Sequence, residues 1–255
     1  MDTAVIFSVQ HGTGRPIIVF HGAGVDHREP EGCFEPFFAT TKGYRRIYPD
    51  LPGMGRTAAT ADVRSADDVL TVLTDFVRTV DHGRPSLLLG HSVGAYYAQA
   101  IAARTPELVT GLALICPLLP ELEDIPPHEV VVSSGDLGDQ GFRDYFVIQT
   151  PEMLQRYETL VAPAAALADE EAMERIGQHW ELGHADGVPY EGPTLIVAGR
   201  RDATVGYRAA MDAERSYPHA TIAVVDDAGH ALPHEQPELL SALMSQWLTR
   251  VERAT

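Results

Sequence analysis

Lysine is all but missing from this chain: Lys42 is the single one among 255 residues, and the other basic side chains are arginines. Any mechanism that needs a pocket lysine is therefore excluded. Positive charge is scarce in general, with 19 Lys and Arg against 36 Asp and Glu and a formal net charge of −17. That balance repels nucleic-acid phosphates and anionic membrane surfaces, so neither is expected as a partner. Two cysteines, Cys33 and Cys116, cannot make a disulfide framework and stand in no metal-ligand spacing. A reduced, cytoplasmic setting is expected. No apolar run is long enough to span a bilayer. The opening MDTAVIFSVQHG has an acid where a signal peptide has bases, so its short alternating run reads as a strand over 4–9. Neither an internal repeat nor a low-complexity linker divides the chain, and its length lies near the upper size for one hydrophobic core. One domain carrying one sizeable insertion is expected.

What the chain does have is a series of short, continuous apolar runs: PIIVF (16–20), YRRIYPD (44–50), SLLLG (86–90), GLALIC (111–116), TLIVAG (194–199) and TIAVVDD (221–227). Continuous runs mark strands buried on both faces. Helices alternate with them. Ser65 begins one, with Asp68 three residues on as a capping box, and Val69, Val72, Leu73, Phe76, Val77 and Val80 share a face until Gly83 stops it. A second follows Ser92 with small inward residues, Ala95, Ala98 and Ala102. A third, about 237–251, spaces Leu240, Leu243, Met244, Trp247 and Val251 helically. The order predicts an α/β fold, a mostly parallel sheet flanked by helices. The segment 117–192 breaks the alternation. It is too long for a loop and too short for a usual domain, with helical stretches predicted over 139–161 and 164–180, and it reads as a helical cap set into a core of 1–116 and 193–255.

One bend carries chemistry. GHSVG, Gly90 to Gly94, lies where a strand runs into a helix, and glycines on both sides of Ser92 allow a turn too tight for side chains. A serine hydroxyl needs a base, a group to orient the base, and donors for the oxyanion. Asp202 follows the strand TLIVAG, and His230 follows TIAVVDD in the run AGHALPHEQP. Loops at strand carboxyl ends converge on one edge of a parallel sheet, so Ser92, Asp202 and His230 are expected to meet there. Asp226 and Asp227 lie nearer His230 in sequence and compete with Asp202. His21 is expected to brace the loop near Ala23, His91 to point away from the nucleophile, and His234 to sit at the surface. His179 and His184 lack a further ligand at zinc-like spacing, so no metal site is expected.

Across nearly its whole length the chain resembles the α/β-hydrolase-fold serine hydrolases, through FHGAG (20–24), DLPGMG (50–55), GHSVG (90–94) and DAGH (227–230) preceded by Asp202. The resemblance implies an α/β-hydrolase fold with the cap inserted after the sixth core strand. It implies Ser92 as nucleophile, His230 as base and then acid, and Asp202 as its orienting carboxylate. It also implies the amides of Ala23 and Val93 as oxyanion donors, with Gly24 beside them. No cofactor is implied. The expected reaction is cleavage of a small or medium apolar carboxylic ester or lactone through an acyl-enzyme, on a small-molecule substrate, by a monomer or homodimer. Phe142, Tyr145, Phe146 and Tyr157 are candidates to line the substrate pocket, the alternative being that most of them pack the cap onto the core. Carbon–carbon bond hydrolases of the family carry Gly-Pro-Gly after the oxyanion turn, where this chain has GAGVD. That reading, a perhydrolase or cofactor-free oxygenase, and a noncatalytic receptor remain alternatives.

Overall fold

A computed structural model describes residues 5–119, 125–183 and 189–254; Ala4, where the first strand was expected to start, and His184 lie outside them. The strands are β1 (Ser8–His11), β2 (Arg15–Phe20), β3 (Tyr44–Pro49), β4 (Ser86–His91), β5 (Val109–Ile115), a two-residue pair β6 (Val132–Ser133) and β7 (Ile148–Gln149), β8 (Thr194–Gly199) and β9 (Ala220–Val225). The large sheet has the order β1-β3-β2-β4-β5-β8-β9, and only its β1–β3 pairing is antiparallel. The helices are α1 (Arg28–Phe38), α2 (Ala66–Val80), α3 (Val93–Arg104), α4 (Gln140–Tyr145), α5 (Pro151–Arg156), α6 (Ala162–Ala165), α7 (Glu170–Gly177), α8 (Arg208–Met211), α9 (Leu232–Glu235) and α10 (Pro237–Ala254).

The continuous apolar runs are explained by two cores. Along β2, Ile17 and Val19 pack with Phe34, Phe38 and Trp247 of α1 and α10, while Ile18 and Phe20 pack with Leu73 and Ala98 of α2 and α3. Alternate residues of a strand face opposite sides, so a sheet covered on both must be apolar throughout. Each such fully buried side chain contributes roughly 1.5–3 kcal/mol. Ser65 caps α2 as expected: its hydroxyl accepts from the Asp68 amide at 3.2 Å and donates to Asp68 Oδ2 at 2.8 Å.

The described residues between β5 and β8 stay out of the large sheet. Among the described residues five of its strands precede this segment, one fewer than the expected count of six. The two long helices predicted there are each interrupted. Thr150 caps α5 and Pro151 opens it, and a residue before proline is driven to extended backbone, which separates α4 from α5. Asp169 caps α7 through Ala172, and its own amide donates to Gly53 O at 2.9 Å, ending α6 against the core.

Candidate active site

The reversal of strand order at β3-β2-β4 leaves a crevice at the carboxyl ends of β2 and β4, where ligands bind in open α/β sheets. Ser92 stands at the end of β4 with φ 55° and ψ −120°, a conformation few non-glycine residues adopt. Its neighbours make the bend physically possible. A methyl group at Gly94 would overlap the carbonyl oxygens of Phe20 and His21, and one at Gly90 would overlap the backbone of Gly94 and Ala95. The Ser92 amide donates to Ile115 O at 3.0 Å, which holds the turn to β5.

The structure brings the three expected side chains together. Ser92 Oγ lies 2.9 Å from His230 Nε2, and His230 Nδ1 lies 2.8 Å from Asp202 Oδ2. Asp202 is fully buried, and its Oδ1 accepts from the amides of Thr204 and Val205 at 2.9 and 3.0 Å. Burial alone would raise this carboxyl. The His230 imidazole and the two amides outweigh it and hold Asp202 below the ordinary carboxylate range. The competing acids face outward: Asp226 is exposed and pairs with Arg200 at 2.8 Å, and Asp227 is exposed. A hydroxyl hydrogen-bonded to an imidazole that is itself oriented by a buried carboxylate is the arrangement a serine nucleophile requires.

Several further side chains fix this row. His91 Nε2 donates to His230 O at 3.0 Å, with the two ring centroids 5.0 Å apart, so His91 braces the loop of His230. Burial, with His230 adding to it, lowers the His91 pKa to about 4, which keeps it a neutral strut. Glu235, which nothing in the sequence singled out, accepts from the Gly229 amide at 2.8 Å through one oxygen. Through the other it accepts from Val147 and Ile148 at 2.7 and 3.1 Å, joining the His230 loop to the inserted segment. His21 does brace the turn near Ala23: its Nδ1–H donates to Gly22 O at 2.7 Å and its Nε2 accepts from the Leu51 amide at 2.9 Å. Past that turn, Asp50 accepts from the His27 amide, the His27 ring and the Arg56 amide.

An apolar cavity of about 230 Å³ reaches Val93, the residue that follows Ser92. Ala23 and Val93 both line it, and as the first residue of α3 Val93 has an amide with no acceptor inside its own helix. Met173 and Ile176 of α7, Trp180, and Tyr96 and Tyr97 of α3 also line it. Gly24, at φ 72°, turns the chain next to Met173.

The four candidate aromatics are not in this cavity wall. Phe142 and Phe146 are fully buried in a cluster with Met153 and Ala231, against which Tyr145 and Tyr157 pack. Tyr145 donates to Glu29 Oε1 at 2.7 Å, and its ring centroid lies 6.2 Å from that of His230. His234 is fully buried and not at the surface: its Nε2–H donates to Glu29 Oε1 at 3.2 Å while Nδ1 accepts from Arg156 Nε at 3.2 Å. The sequence signal for this cavity's wall is the spacing of Met173, Ile176 and Trp180, three and four residues apart, the first two on α7.

Comparison with known proteins identifies the family. The chain is 28% identical to a pimeloyl-acyl-carrier protein methyl ester esterase of Shewanella woodyi, covering 94% of this chain and 96% of that one. It is 26% identical to a 2-hydroxy-6-oxo-6-(2'-aminophenyl)hexa-2,4-dienoic acid hydrolase of Metapseudomonas resinovorans, over 95% and 87% of the two chains. The solved structure of an alpha/beta superfamily hydrolase from Oenococcus oeni superposes with a TM-score of 0.90 at 25% identity, over 97% and 96%. A model of the alpha/beta hydrolase family matches residues 17–243, and the chain belongs to that family.

Proposed function

We propose that the protein is a serine hydrolase that cleaves a small or medium, uncharged carboxylic ester or lactone through an acyl-enzyme on Ser92. The observation that carries this reading is the row of hydrogen bonds from Ser92 Oγ through His230 to Asp202, together with an apolar cavity that Ala23 and Val93 line. In this mechanism Ser92 Oγ attacks the carbonyl carbon while His230 Nε2 takes its proton. The Asp202 carboxylate stabilises the imidazolium, and the amides of Ala23 and Val93 hold the oxyanion. Losing one such donor typically costs on the order of 3 kcal/mol of barrier. The tetrahedral intermediate collapses as the bond to the leaving oxygen breaks, and His230 returns the proton to that oxygen. A water then gives its proton to His230 and attacks the acyl carbon, releasing the acid and restoring Ser92. Segment 117–192 acts as the cap, with α7 and Trp180 over the acyl group.

The substrate class rests on the cavity. Its described lining has no charged side chain, so a charged acyl group would enter without a partner. The likeness to a methyl ester esterase supports an ester. A second reading, hydrolysis of a dienoic acid, is favoured by the likeness to the Metapseudomonas enzyme, but no cation lines the cavity to pair with the acid.

A panel of p-nitrophenyl alkanoates and lactones tests the proposal. Turnover is expected to be best for uncharged apolar acyl groups. Asp202→Asn is expected to lower kcat roughly 10³–10⁴-fold without changing the unfolding midpoint. Failure to turn over any member of the panel, or a fully active Asp202→Asn, contradicts it.

A further inference from the structure

The cavity has one feature that a pocket for plain alkyl chains does not need. Val93 and Tyr97 are one turn apart on α3, so Tyr97 begins about 6 Å further along the helix axis than the amide placed at the oxyanion. The neighbouring Tyr96 has its hydroxyl engaged, donating to Trp180 O at 3.3 Å and accepting from the Leu182 amide at 2.9 Å. Tyr97 is only 5% exposed, yet its hydroxyl has no hydrogen-bond partner among the described residues. Among those residues the polar side-chain atoms sealed from all open space without a partner are Ser86 Oγ and Arg201 Nε. The Tyr97 oxygen is not one of them, so it keeps some accessible surface, and Tyr97 is one of the residues that line the cavity. Burial pushes the phenol well up, with Tyr96 and Asp67 adding to the effect, so Tyr97 stays a neutral donor.

We propose that Tyr97 is a specificity-determining residue: the acyl group the cavity takes carries a neutral acceptor, an ether or keto oxygen several bonds from the scissile carbonyl, to which Tyr97 donates. This rests on the ester hydrolysis proposed above. Buried polar groups in folded proteins are paired, and an exception calls for a ligand or water that completes it. A plain alkyl chain filling the cavity would exclude water from the hydroxyl and offer nothing in return. A site built to hydrogen-bond its substrate discriminates strongly against the analogue that lacks the partner.

The test compares p-nitrophenyl hexanoate with esters of the same chain length in which one methylene after another is replaced by oxygen. One position is expected to exceed hexanoate in kcat/KM by about tenfold. In Tyr97→Phe that ratio is expected to fall to about one, with the unfolding midpoint unchanged because only an unpaired oxygen is removed. The same acyl groups are also titrated calorimetrically, as unreactive N-alkyl amides, into Ser92→Ala protein and into Ser92→Ala/Tyr97→Phe. Preferential binding that is lost with the tyrosine oxygen supports the contact even if no ester is hydrolysed, in which case the ester reading alone fails. Equal ratios in both proteins, in turnover and in binding, overturn the proposal.

Discussion

The inserted segment uses its two halves differently. Residues 139–161 hold most of its aromatic side chains, and these fasten it: Phe142 and Phe146 are fully buried, and Tyr145 reaches Glu29 of α1. Burial alone would raise Glu29. The hydrogen bond from His234, the nearby His91 and the Tyr145 hydroxyl instead hold its pKa at about 2, so an anion anchors this half. Residues 170–180 carry a single aromatic, Trp180, 39% exposed, and with Met173 and Ile176 they wall the cavity. Aromatic side chains fasten the first half, whereas the second is tied down by backbone and arginine hydrogen bonds, Arg175 donating to Val63 O and Ala59 O. The cavity wall is the helix with fewer aromatics, α7, whose Met173 and Ile176 are partly buried against the core and also line the cavity.

The comparison breaks most readily at the fastened half. Phe146→Ala is expected to cost about 3–5 kcal/mol by denaturant unfolding, the usual range for emptying a fully buried phenylalanine site. A loss below 1 kcal/mol would mean that this half does not anchor. Next in size is a pH effect at the rim to which it is attached. His91 has a folded pKa of about 4 against an ordinary 6.5. Between those values the unfolded histidine binds a proton that the folded one refuses, so stability is complete above pH 6.5 and falls as the pH drops toward 4. The total is on the order of 3 kcal/mol. His21, also lowered by burial, acts with the same sign. His91→Gln is expected to flatten the stability–pH curve over that window without abolishing its slope; an unchanged curve would refute the assignment. The smallest effect belongs to the cavity half. Ile176→Trp is expected to lower kcat/KM for p-nitrophenyl hexanoate about tenfold, a barrier change of about 1.4 kcal/mol. Its effect on unfolding should be within about 0.5 kcal/mol. Equal losses from Ile176→Trp and from the same change at Tyr157 would erase the distinction between the halves.

Legibility in the sequence followed the same division. Ser92, Asp202 and His230 could be placed because each follows an apolar strand run at one sheet edge, and because Gly90 and Gly94 mark a bend that side chains would block. Ala23 and Val93 came with the family motifs. The wall of the cavity did not, because Phe142 and Met173 look alike as apolar residues on helices, and only packing decides which one meets another surface. His234 was misplaced for a related reason: its partners Glu29 and Arg156 are 205 and 78 residues away in the chain, and no local pattern records them. The breaks within the predicted long helices were visible at Pro151 and Asp169, where the apolar spacing on either side outweighed them.

The central claim is that His230, held by Asp202, makes the Ser92 hydroxyl reactive. Intact-mass measurement after treatment with a fluorophosphonate tests it most directly. The account predicts one adduct on the native protein, located at Ser92, absent in Ser92→Ala and formed far more slowly in His230→Ala. A folded native protein that stays unlabelled, or one labelled equally fast without the imidazole, would contradict it.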